Sequence, residues 1–108
     1  MSINFNIAKQ FTDPPGGRYK KNGPKSGEEL RDNYLIPALD KLSPKEKLIV
    51  DMDGIIGAAT STLEETFGGL IRKRGTDVAS KIEIVGEEDP ELVEEAKQLM
   101  QEQVERQS

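Results

Sequence analysis

Apolar and polar residues alternate from the first positions of the chain. Ile3, Phe5 and Ile7 fall on one side, and Ser2, Asn4 and Asn6 on the other. A period of two predicts a half-buried strand. Asp13-Pro14-Pro15-Gly16-Gly17 then forbids regular structure, and Asn22-Gly23-Pro24 supplies a second turn. Between them, Arg18-Tyr19-Lys20-Lys21 has room for a short edge strand or hairpin arm. From Ser26 the period lengthens. Ser26-Gly27-Glu28-Glu29 reads as a capping box, and Leu30, Tyr34, Leu35, Ala38, Leu39 and Leu42 recur at helical spacing. Pro37 predicts a kink or division near Leu35 and Ile36, because proline lacks an N–H and collides with the preceding turn.

The continuous apolar run Leu48-Ile49-Val50 predicts a central strand buried on both faces. A second helix is expected to start between Ser61 and Leu63, capped by Ser61 with Glu64 or by Thr62 with Glu65. Its stripe is Leu63, Phe67, Leu70 and Ile71, and Arg72-Lys73-Arg74-Gly75 ends it. Residues 81–85 read as another short strand, with Ile82 and Ile84 on one side. Asp89-Pro90-Glu91 opens a last helix, Asp89 at the N-cap and Pro90 in the first turn. Its stripe of Leu92 or Val93, Ala96, Leu99 or Met100, and Val104 is expected to pack, over residues 89–100, on a sheet presenting Ile3, Ile49 and Ile84. Leu99→Asp should then unfold the domain by burying an unpaired charge. Residues 103–108 are expected to fray or extend and to be dispensable. The order of elements gives a mixed α/β class, with about four strands and three helices in one domain over 1–108 and a core over about 3–100.

Composition narrows the chemistry. The chain has 108 residues, no Cys, no His and no Trp. That removes thiol chemistry, Cys/His zinc sites and imidazole acid–base catalysis. No apolar run approaches the roughly 18 residues needed to cross a bilayer, and no signal peptide opens the chain, so a cytoplasmic protein away from membranes is expected. The formal net charge is −5, and the segment from residue 78 onward holds 3 Lys+Arg against 9 Asp+Glu. Nucleic acid is not the expected partner of such a chain, because phosphate binding needs a basic stripe. The basic run Arg72-Lys73-Arg74 is explained by the macrodipole at a helix end.

Four constellations could carry chemistry. Asp51-Met52-Asp53-Gly54 follows an apolar strand, and carboxylates two apart on a strand share a side, an arrangement that can hold Mg²⁺ and a phosphoryl group. The string resembles the nucleophile loop of haloacid-dehalogenase-type phosphatases. Ile55 stands where those enzymes have Thr or Val, and no Asp-Asp pair follows, so the alternative use is a turn that ends the strand. Gly16-Gly17-Arg18 lacks the Gly-Lys-Ser/Thr of a phosphate-binding loop and exposes Arg18 as a possible anion contact. Gly68-Gly69 within a helix costs about 2 kcal/mol relative to alanine, so something must approach that face closely: a neighbouring element or a partner protein. Thr60-Ser61-Thr62 places three hydroxyls at a helix N-terminus, where unpaired N–H groups and the dipole cap the helix or favour an added phosphate.

Taken together these motifs resemble a known family. The strand 48–54, a short loop, hydroxyl residues and a Gly-containing helix look like the core of STAS domains, the anti-sigma-factor antagonists. Pro15-Gly16-Gly17-Arg18, Ser26-Gly27-Glu28-Glu29, Val50-Asp51-Met52-Asp53-Gly54 and 63–70 (LEETFGGL) more closely resemble the STAS-like family of unknown function, over about residues 3 to 85. The resemblance implies a non-enzymatic regulatory module with no cofactor or metal. It places Ser61 on the phosphorylatable serine of the antagonists and Thr60 just before it. Ala59 stands where the family has Asp, and Thr62 where it has Gly. The implied partner is an anti-sigma factor or a histidine-kinase-type ATPase, bound through the loop and the second helix at Thr62, Glu64, Glu65 and Gly68. Ser61→Asp should then weaken binding to an acidic partner surface. Rival readings are a Mg²⁺-dependent phosphohydrolase using Asp51 and Asp53, and a module sensing an anion or nucleotide through Arg18 and the helix start at Ser61.

Overall fold

The computed structural model describes residues 2–12 and 15–108; Asp13 and Pro14 of the expected first turn lie outside the described residues. The alternating start forms β1 (Ser2–Asn6), and Ile7 opens one helical turn, α1 (Ile7–Gln10), capped by Asn6, whose side chain accepts the Lys9 amide. The anticipated edge strand after Gly17 is instead a 3₁₀ turn, Lys20–Asn22. Local hydrogen bonding decides this. Asn22 Oδ1 accepts the Tyr19 amide at 3.2 Å, and Glu28 Oε1 accepts the Lys20 amide at 2.8 Å, so the segment spends its donors away from any sheet.

Helix α2 (residues 27–40) starts at Ser26, whose hydroxyl oxygen accepts the Glu29 amide at 3.0 Å, while Glu29 reaches back one residue further, to the Lys25 amide. The interruption expected at Pro37 is a change of helix type. A widened π-type stretch, Leu30–Leu35, gives way to regular α-helix over Ile36–Asp40. Wider turns make room for a ring that cannot donate and would strike the preceding turn. Strand β2 (Lys47–Asp51) follows, then α3 (residues 60–74), which is also widened over Glu64–Gly68. A 3₁₀ segment, Thr76–Lys81, leads into β3 (Ile82–Val85), and α4 (Pro90–Gln107) closes the described chain. Among the described residues there are three strands, one fewer than expected, and the helical segments outnumber the three anticipated.

The sheet is parallel throughout, in the order β1-β2-β3. Ile3, Leu48 and Ile82 share one register row, and Phe5, Val50 and Ile84 another. Leu48 and Val50 are fully buried, and Phe5, Ile82 and Ile84 nearly so. The intervening row does not follow them. Asn4 and Glu83 are exposed, and Ile49 between them is only half-buried. The expectation of a central strand covered on both faces, with Ile49 against the last helix, is therefore corrected. Two crossovers stepping in the same direction with the usual right-handed turn lay α2 and α3 on the same face.

Helix α4 packs on α3 and β3 through Leu92, Val93, Ala96 and Met100, with Leu99 on the margin. Its end differs from the frayed tail expected at 103–108. Gln103 is buried, accepts from Arg72 Nη1 at 3.0 Å and donates to Gln107 at 2.8 Å; Gln107 in turn donates to the Ile71 carbonyl at 3.3 Å. The sequence pattern missed this because glutamines dock by amide hydrogen bonds, not by an apolar stripe. Removing residues 103–108 is expected to lower the melting temperature by several degrees, at about 4–8 °C per kcal/mol for a small domain. An unchanged melting temperature would show that the last turn contributes nothing.

Candidate functional site

The loop joining β2 to α3 begins with the two aspartates. Asp51 Oδ1 accepts the Asp53 amide at 2.9 Å, and Asp53 Oδ1 accepts the Glu87 and Glu88 amides at 2.7 and 3.0 Å. Asn6 Nδ2 also donates to the Asp53 carbonyl at 3.1 Å. Each carboxylate thus holds backbone at the carboxyl end of the sheet. Gly54, at φ +92°, turns the chain with Ala8 close by, and Gly57, at φ +75°, turns it again. Between these turns Ile55 goes into the core at 6% exposure, and Ile56 stands out at 83%.

Helix α3 starts one residue earlier than expected, at Thr60, with Ala59 as N-cap and no side-chain cap. Neither anticipated capping box forms, because all the residues involved sit inside the first turns. Thr60 Oγ1 donates to Glu95 of α4 at 2.8 Å, and Ser61 is exposed. Thr62 is buried and donates to the Gly16 carbonyl at 2.8 Å, fastening the 15–25 segment over α3. One turn on, buried Thr66 donates to the carbonyls of Thr62 and Gly27. The two helices touch so closely here that a Cβ on Gly27 would lie 2.5 Å from the Thr62 carbonyl oxygen.

The widened stretches of α2 and α3 carry one charge network. Arg31, with a side chain 4% exposed, pairs with Glu65 and also donates to the Glu65 carbonyl at 3.2 Å and to Asp32 at 2.7 Å. Arg18 reaches the same region, at 2.9 Å from Glu65 and 2.5 Å from Glu64. Arg72 holds Glu64 at 2.6 and 3.1 Å. Gly68-Gly69 exists for this network: a Cβ on Gly69 would fall 2.6 Å from Arg31 Nη1, and one on Gly68 would strike the Glu64 carboxylate. The close approach implied by the paired glycines comes from charged side chains of the chain itself.

The Arg72 hydrogen bond holds the Glu64 carboxyl below the usual carboxylate range, against the opposing effect of burial, with the charges of Arg72, Arg18 and Arg106 assisting. Burial pushes Asp32 up, but the hydrogen bond and charge of Arg31, joined by Lys73, outweigh it and leave the carboxyl at about 2.

The sequence-predicted site residues therefore divide. Thr62, Glu64, Glu65 and Gly68, expected on an exposed binding face, are buried or half-buried and knit the helices together. Arg18 is taken up by two carboxylates, and it does not line the open groove of about 510 Å³ formed beside it by Tyr19, Lys20, Lys21 and Glu28. Thr60, Ser61 and the Ile56 loop remain at the surface. Beside them runs an open groove of about 380 Å³, lined by Gly57, Ala58, Asp89, Glu91, Leu92 and Glu95. Sequence reasoning missed Ile56, Arg31 and Arg72. The two glycines flanking Ile55-Ile56 were the available signal for a displayed side chain. Among the described residues, no three acidic side chains converge closely enough to hold a metal ion, and no helix is long and apolar enough to cross a membrane.

A family profile described as a STAS-like domain of unknown function matches residues 26–92, more than half of the chain. No curated protein and no solved structure matches it. The matched span runs from the cap of α2 to the first turn of α4 and so takes in the ion network except Arg18, the Ile56 loop and Ser61.

A carboxyl held lower in the folded state than in the unfolded contributes stability above its ordinary value and loses it as pH falls through the folded value. For Asp32 that window is about pH 4 down to about 2. Thermal stability is expected to decline across it, and Asp32→Asn to flatten that part of the profile. A variant profile parallel to the parent's would show that Arg31 does not hold this carboxylate.

Proposed function

The chain belongs to the family of STAS-like domains of unknown function, and on that premise we propose that it is a non-catalytic regulatory module that binds a partner protein through the loop 55–61. The observation that carries this reading is Ile56, an aliphatic side chain 83% exposed at the carboxyl end of the central strand. A single exposed aliphatic residue is ordinary on a surface. This one is held out between two glycines at positive φ, on a loop anchored at both ends by buried or hydrogen-bonded residues. Loops displayed by a rigid scaffold are where proteins place recognition.

Ser61 lies five residues on, exposed in the first turn of α3, accessible to a kinase as in the STAS antagonists that the chain resembles. A phosphate there adds about −1.5 to −2 charges to the rim of the loop, stabilised by the helix N-terminus, and so switches binding. The partner class is an anti-sigma factor or a histidine-kinase-type ATPase. The roles of Asp51 and Asp53 support a binding module over a phosphohydrolase, because Asp51 holds the backbone of its own loop and Asp53 holds that of the loop after β3.

The test is comparative capture. Full-length chain is immobilised as the parent, Ile56→Asp and Ser61→Asp, each with its melting temperature matched to the parent, and retained proteins are quantified from native extract. A protein held by the parent should fall about tenfold or more with Ile56→Asp, the loss expected for a central apolar anchor, and should shift with Ser61→Asp. Identical retention by all three would contradict the reading.

A further inference from the structure

The groove beside Ile56 has walls of unlike chemistry. One wall is small and uncharged, Gly57 and Ala58; the other is the first turns of α4, with Leu92 low in the groove beside Asp89, Glu91 and Glu95. Asp89 gives one oxygen to the Leu92 amide at 3.1 Å, and Glu95 accepts the Thr60 hydroxyl at 2.8 Å. Both contacts are with neutral donors, and among the described residues neither carboxylate is in an ion pair. Glu87, Glu88 and Glu94, close by in sequence, are also exposed, and Lys97, 3.9 Å from Glu94, is the one basic residue between Lys81 and Arg106. Asp89 and Glu91 lie at the helix N-terminus, where the macrodipole favours negative charge. The groove's carboxylates are spread along more than a turn of helix instead of converging on a point, which suits a row of cations on a peptide better than a single ion.

We infer that the groove takes a basic segment of the partner protein, one in which Lys or Arg lies beside an apolar side chain. The apolar residue packs on Ile56, and the cations face Glu91 and Glu95. This rests on the reading of the 55–61 loop as the docking element and names what docks. It also sets the sign of the switch. Ser61 follows the residue that is hydrogen-bonded to Glu95, within a Debye length of the groove. Added negative charge at Ser61 therefore strengthens docking of a basic segment, the reverse of the weakening expected for an acidic partner.

The probe is a short synthetic peptide of alternating Lys and Leu, with a Glu/Leu peptide as its counterpart, titrated into the isotope-labelled full chain and followed by amide chemical shifts. The Lys/Leu peptide should move Gly57, Ala58, Glu91 and Leu92, and the Glu/Leu peptide should not. Glu91→Lys should weaken the Lys/Leu peptide about tenfold, as loss of a complementary charge does, and Ser61→Asp should tighten it. Glu105→Lys, with the same change in net charge on an exposed turn outside the groove, should alter affinity far less. Shifts centred elsewhere, equal binding of both peptides, or equal effects of Glu91→Lys and Glu105→Lys would overturn the inference. If Ile56→Asp abolishes cellular capture and Glu91→Lys leaves it intact, the docking loop stands and the basic partner falls.

Discussion

A guanidinium buried between two helices sets the terms for the rest of this molecule. Removing Arg31 from water costs several kcal/mol unless its charge and its donors are all met. The Glu65 carboxylate and backbone carbonyl take Nη1, Asp32 takes Nε, and Nη2 lies 4.0 Å from the Glu28 carboxylate. Glu65 in turn takes Arg18, and Glu64 ties Arg72 and Arg18 to the same cluster. Among the described residues no buried side-chain nitrogen or oxygen is left without a hydrogen bond. The network dictates local geometry. It closes on the two glycines at 68 and 69, and it occupies the two widened helical stretches beside the point where Gly27 meets Thr62 and Thr66 of α3.

From that clamp the surface follows. Helix α3 is held against α2 by charge, against the 15–25 segment by Thr62, and against α4 by Arg72 with Gln103 and by Thr60 with Glu95. The loop entering α3 is anchored at its other end by Asp53 and by Ile55 in the core. At the surface between these anchors stands the short arc carrying Ile56, Gly57 and Ala58, together with exposed Ser61. A displayed arc on a clamped frame suits recognition by a partner: the frame bears the cost of order, and the loop presents a side chain to solvent.

Much of the frame was legible in the sequence because it is written in hydrophobic period. Phe5, Leu48, Val50, Ile82 and Ile84 announce one covered sheet face, and Ser26 and Asp89 announce two helix starts by their caps. Legibility ends where polar residues take over the work of packing. Glu64, Glu65 and Thr62 look like a solvated helix face or caps, and nothing in their spacing reveals that Arg18 and Arg31, far away in sequence, take up the glutamates or that the 15–25 segment covers Thr62. Gln103 reads as tail for the same reason. Ile49 was misplaced because an apolar run carries no period, so it cannot say which face is bare. The candidate site was half visible: Ser61 by its place at a helix start, but Ile56 only through its flanking glycines, whose conformations the folded loop alone specifies.

The clamp is tested most directly by a double-mutant cycle between Arg31 and Glu65. Arg31→Met, Glu65→Met and the double variant are unfolded by denaturant. If the two groups hold the helices together as a buried pair, each single change strands a charge and costs roughly 3–5 kcal/mol, less whatever Asp32, Arg18 and Arg72 recover. The double variant should then recover at least about 1 kcal/mol relative to the sum of the two. Costs that add within about 0.5 kcal/mol would mean that Arg31 and Glu65 act independently, and that something other than this pair holds α2 to α3.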